Sequence, residues 1–442
     1  MLRSCLSLLL VSCSHPNLAS PEGPHDSPGG DSSAPDTQAD SGVEHIPGSD
    51  AELWDTPPLC HVTLDCAQDI PDATKVPCQL GVQSGAGATL YAGWAGAEIR
   101  GRSSSSFPKH QYNLELWADE AGAEAVAADF WGMGGDPDWV LNGNYADRAL
   151  FRNKLGYDLY RDFGGDGWAA ESVLCDLTLN GTWLGIYTLG ERAKRDDDRI
   201  DISDRTDGAS FIVKNDDGGL GFADASYFHG QWLMVWPHQA EAGAEATAAV
   251  SARLAELHAA LAGTDPEAIW SVVDLDSAVD WVILEELSRN NDAYFLSVYL
   301  WQDAGGLIHF APWDLDLAFG GYPITACGWD GWVRYRAAAV YAFASSPTFM
   351  ARLEARWAEL RQGVLADEQV LARMDRYREV MGDELARNFE VWPFEDIEFC
   401  WGGDCWLCPS ESWEAEQDLV REWTIEHLSW MDSNIAAYAA GP

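Results

Sequence analysis

Three aspartates in this 442-residue chain have a spacing that could do chemistry: Asp292, Asp314 and Asp316. Ser297–Gln302 reads as a strand, Asp303-Ala304-Gly305-Gly306 as a turn, and Leu307–Ala311 as a returning strand. Antiparallel pairing sets the start of the first strand beside the end of the second. Asp292 and Asp314 then share the open end of one hairpin. Two carboxylates so placed can divide labour: one accepts a proton from an attacking hydroxyl, and the other holds a divalent cation against phosphate oxygens. In Trp313-Asp314-Leu315-Asp316, strand alternation aims Asp314 and Asp316 to one side if the strand continues. The same spacing also suits loop carboxylates that cap nearby backbone.

A second group is basic and polar. Glu98-Ile99-Arg100-Gly101-Arg102-Ser103-Ser104-Ser105-Ser106-Phe107-Pro108-Lys109 reads as a strand, a loop of small residues, and the start of a new strand. Small residues let backbone N–H groups approach a phosphate, serine hydroxyls add donors, and Lys109 adds a point charge. The bland alternative is a polar hairpin loop. The segment lacks the Gly-Lys-Ser/Thr step into a helix that a Walker A loop needs. A third candidate is Arg152-Asn153, on a helix expected over Asp147–Phe163 and ended by Gly164-Gly165. Arg152 borders the Phe151/Leu155/Leu159 stripe. From there it can pair with a carboxylate or reach a phosphate, or simply snorkel.

The elements that must position these groups change character along the chain. Leu59–Cys66, Gln79–Gln83, Glu98–Arg102 and Tyr112–Leu116 alternate like strands. Val173–Leu179, Asn180-Gly181 and Trp183–Leu189 form a hairpin signal, because Asn-Gly accepts the left-handed conformation of a tight turn. Beyond about residue 240 helices dominate, over Ala246–Ala262, Leu275–Arg289, 346–363, 368–389 and 411–438. The expectation is an α+β chain with a β-rich first lobe (59–192) and a mainly helical second lobe (193–438). A cleft between such lobes suits a ligand.

Composition narrows the function. Lys and Arg total 27 against 71 Asp and Glu, for a net charge of −44. That argues against a nucleic-acid binder, which needs a basic face, and leaves room for basic partners. Met1-Leu2-Arg3 and the apolar run Leu8–Val11 read as an export signal. Leu10-Val11-Ser12-Cys13 resembles a bacterial lipobox, so residues 1–13 are expected to direct lipid attachment at Cys13. An ordinary cleaved signal is the alternative. Residues 14–58 are rich in Pro, Gly, Ser and Asp and read as a disordered acidic spacer. Eight cysteines follow Cys13: Cys60, Cys66, Cys78, Cys175, Cys327, Cys400, Cys405 and Cys408. In an exported chain disulfides are the default, with Cys60, Cys66 and Cys78 bracing the first strands. Cys400, Cys405 and Cys408 lack the fourth ligand of a zinc site. Asn215-Asp216-Asp217-Gly218-Gly219 reads as a turn.

In order along the chain, these segments resemble the spore-coat CotH kinase family. The pieces are Ile99-Arg100-Gly101-Arg102-Ser103-Ser104 with Phe107-Pro108-Lys109 and Tyr112-Asn113-Leu114; Trp139-Val140-Leu141 before Leu150-Phe151-Arg152-Asn153; Leu179-Asn180-Gly181 through Tyr187 to Glu191; Asn291-Asp292; Pro312 through Gly320; and Trp423 to Ile435. The resemblance covers roughly 59–438. It implies an atypical two-lobed protein-kinase-like fold that uses ATP and Mg²⁺ or Mn²⁺ to phosphorylate Ser or Thr hydroxyls of a protein. Carried over, Asp292 is the catalytic aspartate and Asp314 the metal ligand, with Asp316 as a possible helper. Lys109 contacts the ATP phosphates under the Arg102–Ser106 loop, including Ser103 and Ser104. Arg152 supports the site, and Glu191 leads toward the adenine. Ser297 stands where ordinary kinases carry a metal-binding Asn, five residues after the catalytic aspartate. Serine is a shorter and weaker ligand. Two other classes stay open: an idle surface protein that keeps the fold for adhesion, and a glycosyltransferase using Asp314-Leu315-Asp316 as its metal motif.

Overall fold

Alternation builds the first strands. β1 (Cys60–Cys66) buries Cys60, Val62 and Leu64 and exposes the residues between them; β2 (Val76–Gln83) buries Val76, Cys78, Leu80 and Val82 in the same way. The computed structural model describes residues 56–440, apart from residue 73 and short stretches at 216–222, 225–226, 229–230, 239, 291, 295, 323–326, 335–336, 402–403 and 406. The expected signal, spacer and Asn215–Gly219 turn therefore lie wholly or mostly outside the described residues. β3 (Thr89–Arg100) and β4 (Gln111–Trp117) follow, then a short pair, β5 (Ala128–Asp129) and β6 (Gly135–Asp136). β7 (Asp138–Asn142), β8 (Ser172–Leu179) and β9 (Thr182–Glu191) complete the sheet. The hairpin at Asn180-Gly181 has φ of 49° and 76°, as a tight turn requires.

These strands close into a barrel of order β1-β2-β3-β4-β7-β9-β8. The seam is a parallel pairing of β1 with β8, where Cys60 stands opposite Cys175. Alternation alone expects the buried face of each strand and not this closure, which joins strands far apart in the chain. Cys66 and Cys78 are bonded across β1 and β2, as expected; Cys327 is bonded to Cys408. Cys60, expected to join that bracing, is instead a buried free thiol opposite the free Cys175, and the side chains of Cys400 and Cys405 fall outside what is described.

The second half is helical but holds a sheet of its own. Its strands are β10 (Phe211–Asn215), β11 (Ala223–Asp224), β12 (Gln231–Trp236), β13 (Val298–Gln302) and β14 (His309–Ala311), in the order β11-β12-β10-β13-β14. Between β7 and β8, α1 (Arg152–Asp162) joins the core of this second half, not the barrel interior. The other helices are α2 (Ala244–Leu261), α3 (Leu275–Ser288), α4 (Ala338–Ala344), α5 (Pro347–Arg361), α6 (Asp367–Val391, kinked at Gly382) and α7 (Trp413–Asn434). Among the described residues no helix is long and apolar enough to cross a membrane.

α3 is the axis of the second core. Every residue from Ser277 to Ser288 is buried, and Trp281 stacks on Phe310 with ring centres 4.3 Å apart. Asp274 caps its start by accepting the Ser277 N–H at 2.8 Å. The Ser277 hydroxyl in turn accepts the Phe310 N–H at 2.9 Å. One end of α3 is thus pinned to β14, and the other end releases the chain toward Asp292. Sheets and helices together make the protein α+β, with a β-rich first part and a helix-rich second part.

Candidate active site

The hairpin of β13 and β14 forms antiparallel, with Tyr299 opposite Ala311 and Trp301 opposite His309. The chain therefore enters β13 and leaves β14 at the same end. Asp314 follows β14 with φ 65°, in the left-handed region that costs an ordinary residue about 1–2 kcal/mol and that Asp tolerates better than most. α1 holds it there. The Asp314 N–H donates to Tyr157 Oη at 3.0 Å, and the Leu315 N–H donates to Asn153 Oδ1 at 2.6 Å. Asn153 and Tyr157 are one helical turn apart and face the same way. Gly156 between them leaves room for Leu315: a Cβ there would stand 2.4 Å from Leu315 Cδ1. Farther on, the Phe319 N–H donates to Ser288 O at 2.7 Å, tying the segment to the end of α3.

Asp292 comes from that same helix end. Arg289 closes α3 with φ 42°. Asn290 Oδ1 then accepts the Asp292 N–H at 3.1 Å, and Asp292 O accepts the Leu296 N–H at 3.0 Å. Ser297, with φ 54°, precedes β13 at the open end of the hairpin. Asn291, a neighbour named in the family motif, lies outside the described residues.

Electrostatics bring the groups into one field. Burial pushes the Asp316 carboxyl well above the usual carboxylate range, and the negative charges of Asp314, Asp147 and Asp292 push it further; Arg100 opposes them. Burial lowers the Arg100 guanidinium from its ordinary value, and Asp314 is the largest influence restoring it. Arg100 donates to Gln111 Oε1 and to Asn142 Oδ1, and its guanidinium carbon lies 6.0 Å from the centre of the Trp313 ring. Burial and the nearby Asp314 also raise the Tyr157 phenol well above its usual value. Arg100, Asn153, Tyr157 and Asp147 all shape this site; Asn153 stands beside Arg152 among the sequence candidates, whereas Arg100, Tyr157 and Asp147 are given no role there. The helical four-residue spacing from Asn153 was the available signal for Tyr157.

The other expected residues are placed differently. Lys109 is 2% exposed, and its ammonium donates to Ile186 O at 2.6 Å and to Asn388 Oδ1 at 3.0 Å. Burial lowers it to about 7, with Cys175 and Asp147 opposing. Its connection to the aspartates runs through Asp147, and its hydrogen bonds join the chain near β4 to β9 and α6. Arg152 is locked between Asp147 and Glu416, each at 2.7 Å, and reaches the aspartates through its partner Asp147. Asp147 also accepts the Arg152 N–H at 2.7 Å, which is why α1 starts at Arg152 and not at Asp147. Glu191 ends β9, accepts the Glu171 N–H at 2.7 Å, and is raised by burial to about 7. Arg102 is exposed. Ser104–Ser106 form one turn of 3₁₀ helix, where the Ser105 and Ser106 hydroxyls donate to the carbonyls of Arg102 and Ser103.

Among the described residues no group of three or more His, Cys, Asp or Glu side chains converges tightly enough to hold a metal ion unaided. A magnesium ion needs less: one or two carboxylates, with water and substrate phosphates completing its shell. Asp314 and Asp316 are hard oxygen donors in a field of surplus negative charge, so they fit such an ion. No curated protein matches the chain. The sequence model of the CotH kinase proteins matches residues 97–431, most of the chain and all of the segments just described, and the protein belongs to the CotH kinase family.

Proposed function

We propose that the protein is an exported, ATP- and metal-dependent protein Ser/Thr kinase of the CotH type, with an atypical two-lobed kinase-like architecture. It would be lipid-anchored through Cys13 at the outer membrane or cell surface, and would act on protein hydroxyls, basic proteins being the best electrostatic match for a chain of net charge −44. The observation that carries this reading is the common field of Asp292, Asp314, Asp316 and Arg100 at the open end of one hairpin.

Asp292 accepts the proton of the attacking hydroxyl, its position set by Asn290. Asp314, with Asp316 beside it, would hold Mg²⁺ or Mn²⁺. The ion, when bound, neutralises charge on the phosphate oxygens. Arg100 supplies a fixed cation on the same side as Asp314, and Ser297 stands at the hairpin end as a weak oxygen donor. The hydroxyl oxygen gains the terminal phosphoryl group, ADP departs, and the proton stays on Asp292.

The test is transfer of labelled terminal phosphate from ATP to a basic, serine-containing acceptor by the full chain with Mg²⁺ or Mn²⁺. Asp292→Ala should abolish transfer and keep nucleotide binding. Undiminished transfer by that variant would remove Asp292 from its role. Ser297 favours one rival, an idle surface protein; a chain that binds no nucleotide with either metal would support it.

A further inference from the structure

α3 ends with two consecutive buried glutamates, Glu285 at 3% and Glu286 at 1% exposure. Their neighbours on the helix, Val282, Ile283, Leu284 and Leu287, are apolar and equally buried. A carboxyl in such a place costs more than a leucine unless its oxygens are satisfied, so its partners indicate its purpose. Glu285 Oε2 accepts from Asn290 Nδ2 at 3.0 Å, and the other end of that amide, Oδ1, accepts the Asp292 N–H. Glu286 Oε1 accepts from Tyr294 Oη at 2.9 Å and from Tyr438 Oη at 2.7 Å, while Oε2 accepts the Val333 N–H at 2.6 Å. Tyr294 is fully buried with φ 65°, and its ring meets Trp281 edge-on at 5.1 Å.

Consecutive residues on a helix point about 100° apart. One glutamate therefore reaches the residue two before Asp292, and the other reaches the residue two after it. We propose that Glu285 and Glu286 are paired positioning residues that hang the Asp292 loop from the protein interior, Glu285 through Asn290 and Glu286 through Tyr294. The proposal rests on reading Asp292 as the group that takes the proton.

The groups around the pair make this suspension proton-dependent. Glu285 faces Asn290, Trp281, Glu286 and the negative charge of Asp292. Glu286 faces Tyr294, Tyr438, the Val333 N–H and the cation of Arg334, and its own carbonyl meets His427 Nε2 at 2.8 Å. Burial raises Glu285 to about 8 and Glu286 to about 7. Near neutrality Glu285 keeps its proton and Glu286 is at its midpoint. Ionisation of Glu285 in alkali adds an uncompensated charge beside Asp292, so phosphotransfer falls as pH rises through about 8.

Two readouts on the full chain test this. Hydrogen exchange followed by peptide mass should show that Asn290→Ala and Tyr294→Phe each speed exchange of the Asp292 and Leu296 amides by about tenfold, the effect of one lost hydrogen bond, with barrel peptides unchanged. Kinetics should show kcat falling on the order of 100-fold while KM for ATP stays within about twofold, as for a displaced reacting group. Glu285→Gln keeps an acceptor for Asn290 and removes the ionisation, so the alkaline fall in kcat flattens; Glu285→Ala lowers kcat at every pH. Unchanged exchange in both loop variants overturns the proposal whether or not the protein is active. Faster exchange with unaltered kcat overturns it too. The exchange response in a wild type that transfers no phosphate would uphold the suspension and remove the kinase reading instead.

Discussion

At the scale of single residues, the two loop aspartates could be found from sequence because an antiparallel hairpin has one open end, and both flank it. Arg100 could not be assigned in the same way. Arg100 and Arg102 share the parity of a strand, but β3 stops at Arg100 and Gly101 takes φ 100°, so the alternation that would relate them is lost at that point. Arg100 stays under the influence of Asp314 while Arg102 is exposed. Arg100→Ala is therefore expected to weaken nucleotide binding by about 10- to 100-fold, the worth of hydrogen bonds to a charged group, and Arg102→Ala by much less. Titration calorimetry with Mg-ATP checks both. The sequence marks Lys109 as a point charge after a loop of small residues without showing which way the ammonium turns. Asn388, far away in sequence, decides that. Asn388→Ala would leave the Lys109 ammonium and the Ile186 N–H each short of a buried partner, at about 1–3 kcal/mol apiece. A lower Tm is the expected outcome.

At the scale of elements, the site depends on helices holding backbone, not on strands alone. α1 presents Asn153, Gly156 and Tyr157 to the Asp314 segment, and α3 sends out the loop of Asp292. Asn153→Ala removes the acceptor of the buried Leu315 N–H and should cost about 1–3 kcal/mol. Because the same residue fixes the path of Asp314, metal-dependent nucleotide binding should weaken beyond what the loss of Tm explains. Binding measured well below the melting temperature separates the two effects. The long helices and the Asn-Gly hairpin were legible because their signals are local. β10 and β12 were not: Phe211-Ile212-Val213 is a short run buried on both faces, without alternation or a helical period, and its partners are distant. The left-handed Asp314 and Ser297 give no pattern signal either, since each is set by contacts outside its own segment.

At the scale of the molecule, barrel closure was invisible for a related reason. Pairing β1 with β8 is a long-range choice, and the period of a strand carries no information about its second neighbour. The buried carboxyls have a global consequence. Glu285, Glu286 and Glu191 are raised from about 4.5 in an unfolded chain to about 8, 7 and 7 by burial. Between those values the folded state holds protons that the unfolded state has lost, so stability falls as pH rises. His427, lowered by burial to about 4, works in the opposite sense up to about pH 6.5; Lys109, lowered to about 7, does so above pH 7. The three glutamates prevail over the single histidine. Tm should decline from about pH 5 to pH 7 and hold between about pH 7 and 8, where Glu285 and Lys109 oppose each other; a scan in constant ionic strength checks this.

Asp314 and Asp292 are proposed to divide the work at one pocket. Calorimetric titration of ATP into the wild type and the Asp314→Ala and Asp292→Ala variants, with and without Mg²⁺, measures it. Metal-dependent binding that survives loss of Asp292 and disappears with Asp314 is the expected result. Equal binding in both variants, or binding by the wild type that ignores the metal, would contradict it.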